Sequence, residues 1–231
     1  MRVLSVIHGE LVRSELFGEV VGVAGHELVE WRIGTGPRPG GDFDAVLVLG
    51  GHMNVGEEAE HPWLVDEYEL LRGLVAAGTP LFAVCLGAQT LAHAFGARVE
   101  RLPERQAGFT EVTLTAAGAS DPVLGVLPAR FEALGGNAYG FAVPSAAVEL
   151  ATSPLQPQAY RIGEAAWAVQ FHPEARRRQV LLWFESEEAA LPRPLPELER
   201  ELAAKIGDWH RLGRSRCLAF LDAAARAVQP P

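Results

Sequence analysis

The stretch Pro80-Leu81-Phe82-Ala83-Val84-Cys85-Leu86-Gly87-Ala88-Gln89 carries an apolar run into a cysteine, with a glycine shortly after it. Thr90–Phe95 then reads as helix. A strand, a tight turn and a helix with the nucleophile at the corner lift the sulfur above the sheet edge. They also set it at a helix N-terminus, whose partial positive charge favours thiolate. Downstream, Phe171-His172-Pro173-Glu174 supplies an imidazole base and a carboxylate able to orient it. Cys85, His172 and Glu174 therefore have the makings of a Cys-His-Glu triad. Gln89 lies one helical turn beyond Cys85, so its amide can face the same pocket. Gly50-Gly51 closes another apolar run, and acyl transfer needs backbone N–H donors for its oxyanion. Gly51 and Leu86, the residue after the nucleophile, are the expected donors.

These groups need a scaffold that brings distant segments together. Arg2–Ile7 reads as a buried strand, Leu11–Val23 as a helix, and Leu28–Ile33 and Ala45–Leu49 as strands. Pro62–Ala77 has apolar residues at helical spacing and ends at Gly78. Leu81–Val84 is the next strand. This order predicts an α/β fold: a mostly parallel central sheet with helices on both faces. Glu111–Thr115, Ala129–Ala133, Ala147–Ala151, Ala159–Ile162 and Ala166–Phe171 read as short strands, a small antiparallel insertion before the chain rejoins the parallel sheet. Glu174–Leu191 is expected to be helical. Pro192–Pro196 breaks it, and Glu197–Val228 forms one long helix or two, interrupted at Gly207 or Gly213. Residues 1–190 are expected to form one domain and 191–231 a helical extension packed on it, with a dimer contact as the lesser alternative.

Composition narrows the function. Of 231 residues, 48% are hydrophobic and 21% charged, which suits a folded chain with a large core. A formal charge of −9, with no basic arm, argues against nucleic acid and anionic membrane as partners. Two cysteines and no signal-like N-terminus lead to the expectation of a reducing, cytoplasmic setting. Cys217 sits at an apolar helical position and is expected in the core. His52, His61, His93 and His210 lack ligand spacing, so no metal is expected. Monomer and homodimer both remain open.

Three motifs together resemble the class I, triad-type glutamine amidotransferases, flavodoxin-like in fold. Gly50-Gly51-His52-Met53-Asn54-Val55 is similar to that family's oxyanion strand. Cys85-Leu86-Gly87-Ala88-Gln89 is similar to its nucleophile motif, and Gln170-Phe171-His172-Pro173-Glu174 to its base motif. The likeness runs over about residues 1–190, and the nearest subgroup is the stand-alone proteins similar to the glutaminase half of guanylate (GMP) synthase. The resemblance implies hydrolysis of the glutamine side-chain amide to glutamate and ammonia through a Cys85 γ-glutamyl thioester. It implies no cofactor for this step, and places Gln89, Gly50, Gly135 and Asn137 beside the substrate. Its partner would be a separate synthase chain, unless free ammonia is the product.

The chain also departs from that pattern. Ala83 stands where relatives usually carry glycine, which implies a reshaped pocket floor. Gln106-Ala107-Gly108-Phe109 lacks an expected acidic residue. Leu134-Gly135-Gly136-Asn137 replaces a Trp-His-Gly-Asp stretch. A wall that loses matched polar partners changes which ligand it grips. Two alternatives follow: a γ-glutamyl hydrolase or peptidase acting on other γ-glutamyl amides, and a catalytically idle binding or regulatory subunit on the same scaffold. A papain-like protease fits neither the element order nor the His-x-Glu spacing.

Overall fold

The computed structural model describes residues 1–228. The first half alternates strand and helix: β1 (Arg2–Ile7), α1 (Glu15–Val23), β2 (Glu27–Arg32), β3 (Ala45–Val48), α2 (Trp63–Ala76), β4 (Leu81–Val84) and α3 (Leu86–Ala94). The middle is strand-rich: β5 (Val99–Arg101), β6 (Gly108–Leu114), the short α4 (Ala116–Ser120), β7 (Arg130–Gly135), β8 (Tyr139–Phe141), β9 (Ala147–Thr152), β10 (Pro157–Ile162) and β11 (Ala166–Val169). Two helices follow, α5 (Arg177–Ser186) and α6 (Leu195–Val228).

Nine strands form one sheet in the order β2-β1-β3-β4-β11-β10-β9-β6-β7. The five from β2 to β11 run parallel, as the alternation of strands and helices demands. The remaining four continue the same sheet antiparallel, so the expected insertion is a lateral extension. The β5–β8 pair is a separate two-stranded ribbon, too short to give a pattern in the sequence.

Side-chain alternation along the parallel strands builds two cores. Val3, Ile7, Leu47, Phe82, Val84 and Trp167 face a layer made by α1, α5 and α6. Leu4, Val6, Val46, Val48, Leu81 and Ala168 face the layer of α2 and α3. Because β2 and β3 flank β1 on opposite sides, a crevice opens at the strands' C-terminal ends. Open α/β sheets bind ligands there.

Three boundaries differ from expectation. The first helix begins at Glu15, because residues 9–12 close a local bridge and Ser14 is tied by its hydroxyl to Ser5 and Glu30. The helix after the base motif begins at Arg177 and stops at Ser186, since Arg176 is extended and a 3-10 turn occupies Glu188–Ala190. The last helix is one continuous rod, and neither Gly207 nor Gly213 interrupts it. Gly213 serves an approach instead: a Cβ there would lie 2.3 Å from the Pro173 carbonyl oxygen. The bare backbone lets α6 press directly on the base segment.

Candidate active site

Three strand ends converge on the crevice. Cys85 follows β4 as the N-cap of α3, with φ 52° and ψ −108°. A non-glycine residue at positive φ is uncommon and is held only by its surroundings. Here the Cys85 N–H donates to the Val169 carbonyl at 2.9 Å, and the Gln89 N–H returns to the Cys85 carbonyl at 3.0 Å. Gly87 allows the turn: a Cβ would sit 2.4 Å from the Val48 carbonyl oxygen.

His172 and Glu174 follow β11, next to β4 in the sheet. His172 Nδ1 and Glu174 Oε1 are 2.8 Å apart, both side chains buried. The imidazole also faces Cys85, and the two share one wall of the cleft. Burial alone would pull the imidazole pKa down. The charges of Glu174 and Cys85, and hydrogen bonds to both, outweigh it and push His172 up to about 10. His172 is held further: its ring leans on Trp183 with centroids 4.7 Å apart, and its backbone carbonyl accepts from Trp209 Nε1 at 2.8 Å.

Behind Glu174 lies Arg216 of α6, fully buried over the faces of Phe171 and Trp209 at 4.8 and 5.7 Å. Burial pulls this guanidinium down to about 9, with the charge of Glu174 acting against the fall. Sequence reasoning assigned no chemistry to α6, yet it supplies both Trp209 and Arg216.

The crevice in front of Cys85 has a volume of about 300 Å³. Gly51, Gln89 and Asn137 line it, as do Arg101, Arg105, Tyr139 and Glu187. Gln89 commits its amide hydrogens to the Tyr139 carbonyl at 2.9 Å and to Gln170 Oε1 at 3.2 Å, so its own oxygen remains an acceptor. Asn137 Nδ2 donates to the same Tyr139 carbonyl at 2.8 Å, leaving its Oδ1 buried without a partner. Arg105 is ion-paired with Glu187 at the mouth. Nothing in the sequence joined those two residues, because only the β5–β8 ribbon and the turn after α5 bring them together.

Two expected substrate contacts are placed elsewhere. Gly135 ends β7 in register with Gly108, and Gly136 and Asn137 reach the cleft in its stead. Gly50 turns its carbonyl away to His8 and lies against His172 and Cys85: a Cβ would meet His172 Cε1 at 2.8 Å. Ala83 points into the core with Ala88 and Leu91, so it leaves the pocket floor unaltered. Among the described residues, no hydrogen bond engages the N–H of Gly51 or of Leu86. Cys217 is buried in the α6 core, where burial pushes its thiol up to about 12.

Known proteins share this architecture. A glutamine amidotransferase of Thermotoga maritima superposes with a TM-score of 0.83 at 23% identity, covering 96% of this chain and 98% of that one. One from Methylobacillus flagellatus gives 0.86 at 21%, covering 96% and 94%. Likeness at that identity speaks for the fold. In sequence, the chain is 35% identical to a glutamine-hydrolysing GMP synthase of Christiangramia forsetii over 136 residues, 57% of this chain and 25% of the relative. It is 30% identical to a gamma-glutamyl-L-1-hydroxyisopropylamide hydrolase of a Pseudomonas species over 147 residues, 59% of this chain and 48% of the relative. The chain thus spans a quarter to a half of these relatives. The family model for class-I glutamine amidotransferase matches residues 26–180, a span that holds Cys85, His172 and Glu174. On that match, carried by two thirds of its length, the chain belongs to the class-I glutamine amidotransferases.

Proposed function

We propose that the chain hydrolyses the side-chain amide of glutamine through a γ-glutamyl thioester on Cys85. The observation that carries this reading is a single line of buried groups. A strained elbow cysteine faces an imidazole whose far nitrogen is 2.8 Å from a buried carboxylate. Cys85 attacks the amide carbon, and the carbonyl oxygen becomes an oxyanion received by the N–H groups of Gly51 and Leu86. His172 gives its proton to the departing nitrogen, so ammonia leaves neutral. Acylation removes the charge on Cys85, one of the partners that hold His172 up. Having given its proton to ammonia, the imidazole stays neutral in the acyl-enzyme and takes a proton from the water that attacks the thioester, and the Cys85 thiol is the leaving group. Glu174 keeps the ring aligned throughout. The free oxygen of Gln89 suits an ammonium group, and Arg101 at the cleft suits a carboxylate. Together they fit the amino-acid head of a γ-glutamyl donor.

A second reading keeps the chemistry and enlarges the leaving amine. It is favoured by the open cleft and by the similarity to the Pseudomonas hydrolase. Transfer of ammonia to a synthase chain is the corresponding proposal from the GMP synthase relatives.

One experiment separates these readings. Glutamine, a γ-glutamyl alkylamide and a γ-glutamyl anilide are offered to the wild type and to Cys85→Ala, with glutamate release as the readout. A γ-glutamyl diazoketone is then used to label the protein for mass spectrometry. Release from glutamine and an adduct on Cys85, with Cys217 spared, support the first reading. Release only from the larger amides supports the second. No adduct and no release from any donor would leave an idle scaffold.

A further inference from the structure

A buried trio on the α2 side of the crevice has no part in the chemistry above. His8 follows β1, Glu67 lies on α2 and Thr90 on α3, and all three are buried. Thr90 Oγ1 donates to Glu67 Oε1 at 2.7 Å. Glu67 Oε2 and His8 Nε2 are 2.7 Å apart. His8 Nδ1 lies 3.0 Å from the Gly50 carbonyl oxygen. A carbonyl can only accept, so Nδ1 carries the hydrogen of that bond. The His8 ring is stacked on Trp63, 5.4 Å between centroids at 26°.

The target of this chain of bonds is the peptide that joins Gly50 to Gly51. All described peptide bonds are trans, so its C=O and N–H point in opposite directions. Holding the Gly50 oxygen on the His8 side turns the Gly51 N–H away from His8, and Gly51 itself lines the cleft. Both positions exclude larger residues: a Cβ on Gly50 would meet His172 Cε1, and one on Gly51 would meet Leu86 and His8 at 2.8 and 2.9 Å. A diglycine is thus sterically required, and a diglycine peptide plane rotates freely unless something holds it.

We propose that His8 and Glu67 form a positioning dyad that locks the Gly50–Gly51 peptide with its N–H aimed at the oxyanion. The dyad also polarises that peptide. Burial alone would pull the His8 pKa down, but the charge and hydrogen bond of Glu67, with the Gly50 and Leu49 carbonyls, outweigh it and raise it. A donor whose other ring nitrogen is tied to a buried carboxylate strengthens the N–H at the other end of the same amide. Thr90 sits beside Gln89 on the helix that starts at the nucleophile. The dyad therefore couples the oxyanion strand to the nucleophile helix.

This inference rests on the thioester reaction proposed above, and its test includes a readout independent of turnover. The wild type is compared with the double variant His8→Leu/Glu67→Gln, which leaves no unpaired buried carboxylate, and with His8→Asn, which keeps an N–H near the place of Nδ1. Three quantities are measured: kcat and KM for a γ-glutamyl donor, the rate of Cys85 alkylation by iodoacetamide, and the orientation of the Gly50–Gly51 peptide by crystallography. Alkylation forms no oxyanion. The double variant is expected to lose about 10²-fold in kcat, the effect of losing one oxyanion donor. Its KM should stay within about threefold, its alkylation rate should hold, and its Gly50 carbonyl should rotate toward the cleft. His8→Asn should recover about tenfold of that loss. Full kcat with the peptide unmoved would overturn the dyad, as would alkylation falling in step with kcat. If the double variant does not fold, Glu67→Gln alone carries the same comparison, with an expected loss of about tenfold in kcat. If the wild type turns over no γ-glutamyl donor, the proposed reaction fails on its own account. The peptide orientation still decides the dyad, and an unmoved peptide overturns it.

Discussion

Replacing Gly50 by alanine tests the triad through a residue that takes no part in bond making. The new methyl would sit 2.8 Å from His172 Cε1, 3.3 Å from Val12 and 3.4 Å from the Cβ of Cys85. The first contact is about 0.6 Å short of the 3.4 Å lower edge of ordinary packing, so the ring or the Gly50 strand must move by about that much. The ring has no direction of easy retreat. Glu174 holds its Nδ1 at 2.8 Å, Trp183 backs its face, and Trp209 holds the carbonyl of the same residue. A shift approaching 1 Å between nucleophile and base costs about 10²-fold in rate, or about 2.7 kcal/mol of transition-state stabilisation. Overpacking should also lower stability by about 1–3 kcal/mol, or roughly 3–9 °C in Tm for a chain of this size. The assay is kcat/KM for glutamate release beside a thermal melt. A variant that keeps kcat/KM within threefold of wild type would mean that the His172 position seen here is not the working one.

Other expectations follow from the same geometry. Glu174→Gln keeps the shape of the carboxylate and removes its charge, so kcat should fall about 10³- to 10⁴-fold with little change in KM; steady-state kinetics showing more than a tenth of wild-type kcat would refute the orienting role. The folded pKa of His172, about 10, lies above its unfolded value near 6.5. Its contribution to stability is therefore complete below about pH 6.5 and is lost as pH rises through about 10. Melting curves from pH 6 to 11 should show that loss ending at lower pH in Cys85→Ala, which lacks one of the partners raising the imidazole; superimposable pH profiles would contradict it. Trp209→Phe removes the donor to the His172 carbonyl and leaves that oxygen buried, at a cost of about 1–3 kcal/mol, read as a lower Tm together with a lower kcat. An unchanged Tm would show that α6 does not hold the base.

The amino-acid sequence alone singled out the candidate catalytic residues and the parallel half of the fold. Cys85, His172 and Glu174 each follow an apolar run that can only be a central strand, and such runs are visible because both faces of a parallel strand are buried. Edges and corrections came from tertiary contacts. The elbow's positive φ is imposed by hydrogen bonds to Val169 and Gln89, and the late start of α1 by the Ser14 contacts. Gly213 reads as a helix breaker in one dimension and acts as the contact point of α6 on Pro173 in three. Gly135 and Gly136 are equivalent as letters, and only the end of β7 decides that Gly136 and Asn137 face the cleft. His8 and Glu67 are an unremarked histidine and glutamate until the sheet places β1 beside β3 and α2 over both. Local spacing records which face of a strand or helix a residue occupies, whereas pairing between segments fifty or more residues apart leaves no periodic trace. The residues proposed as nucleophile and base were therefore legible along the chain, and the groups that hold them in place were decided by the packed molecule.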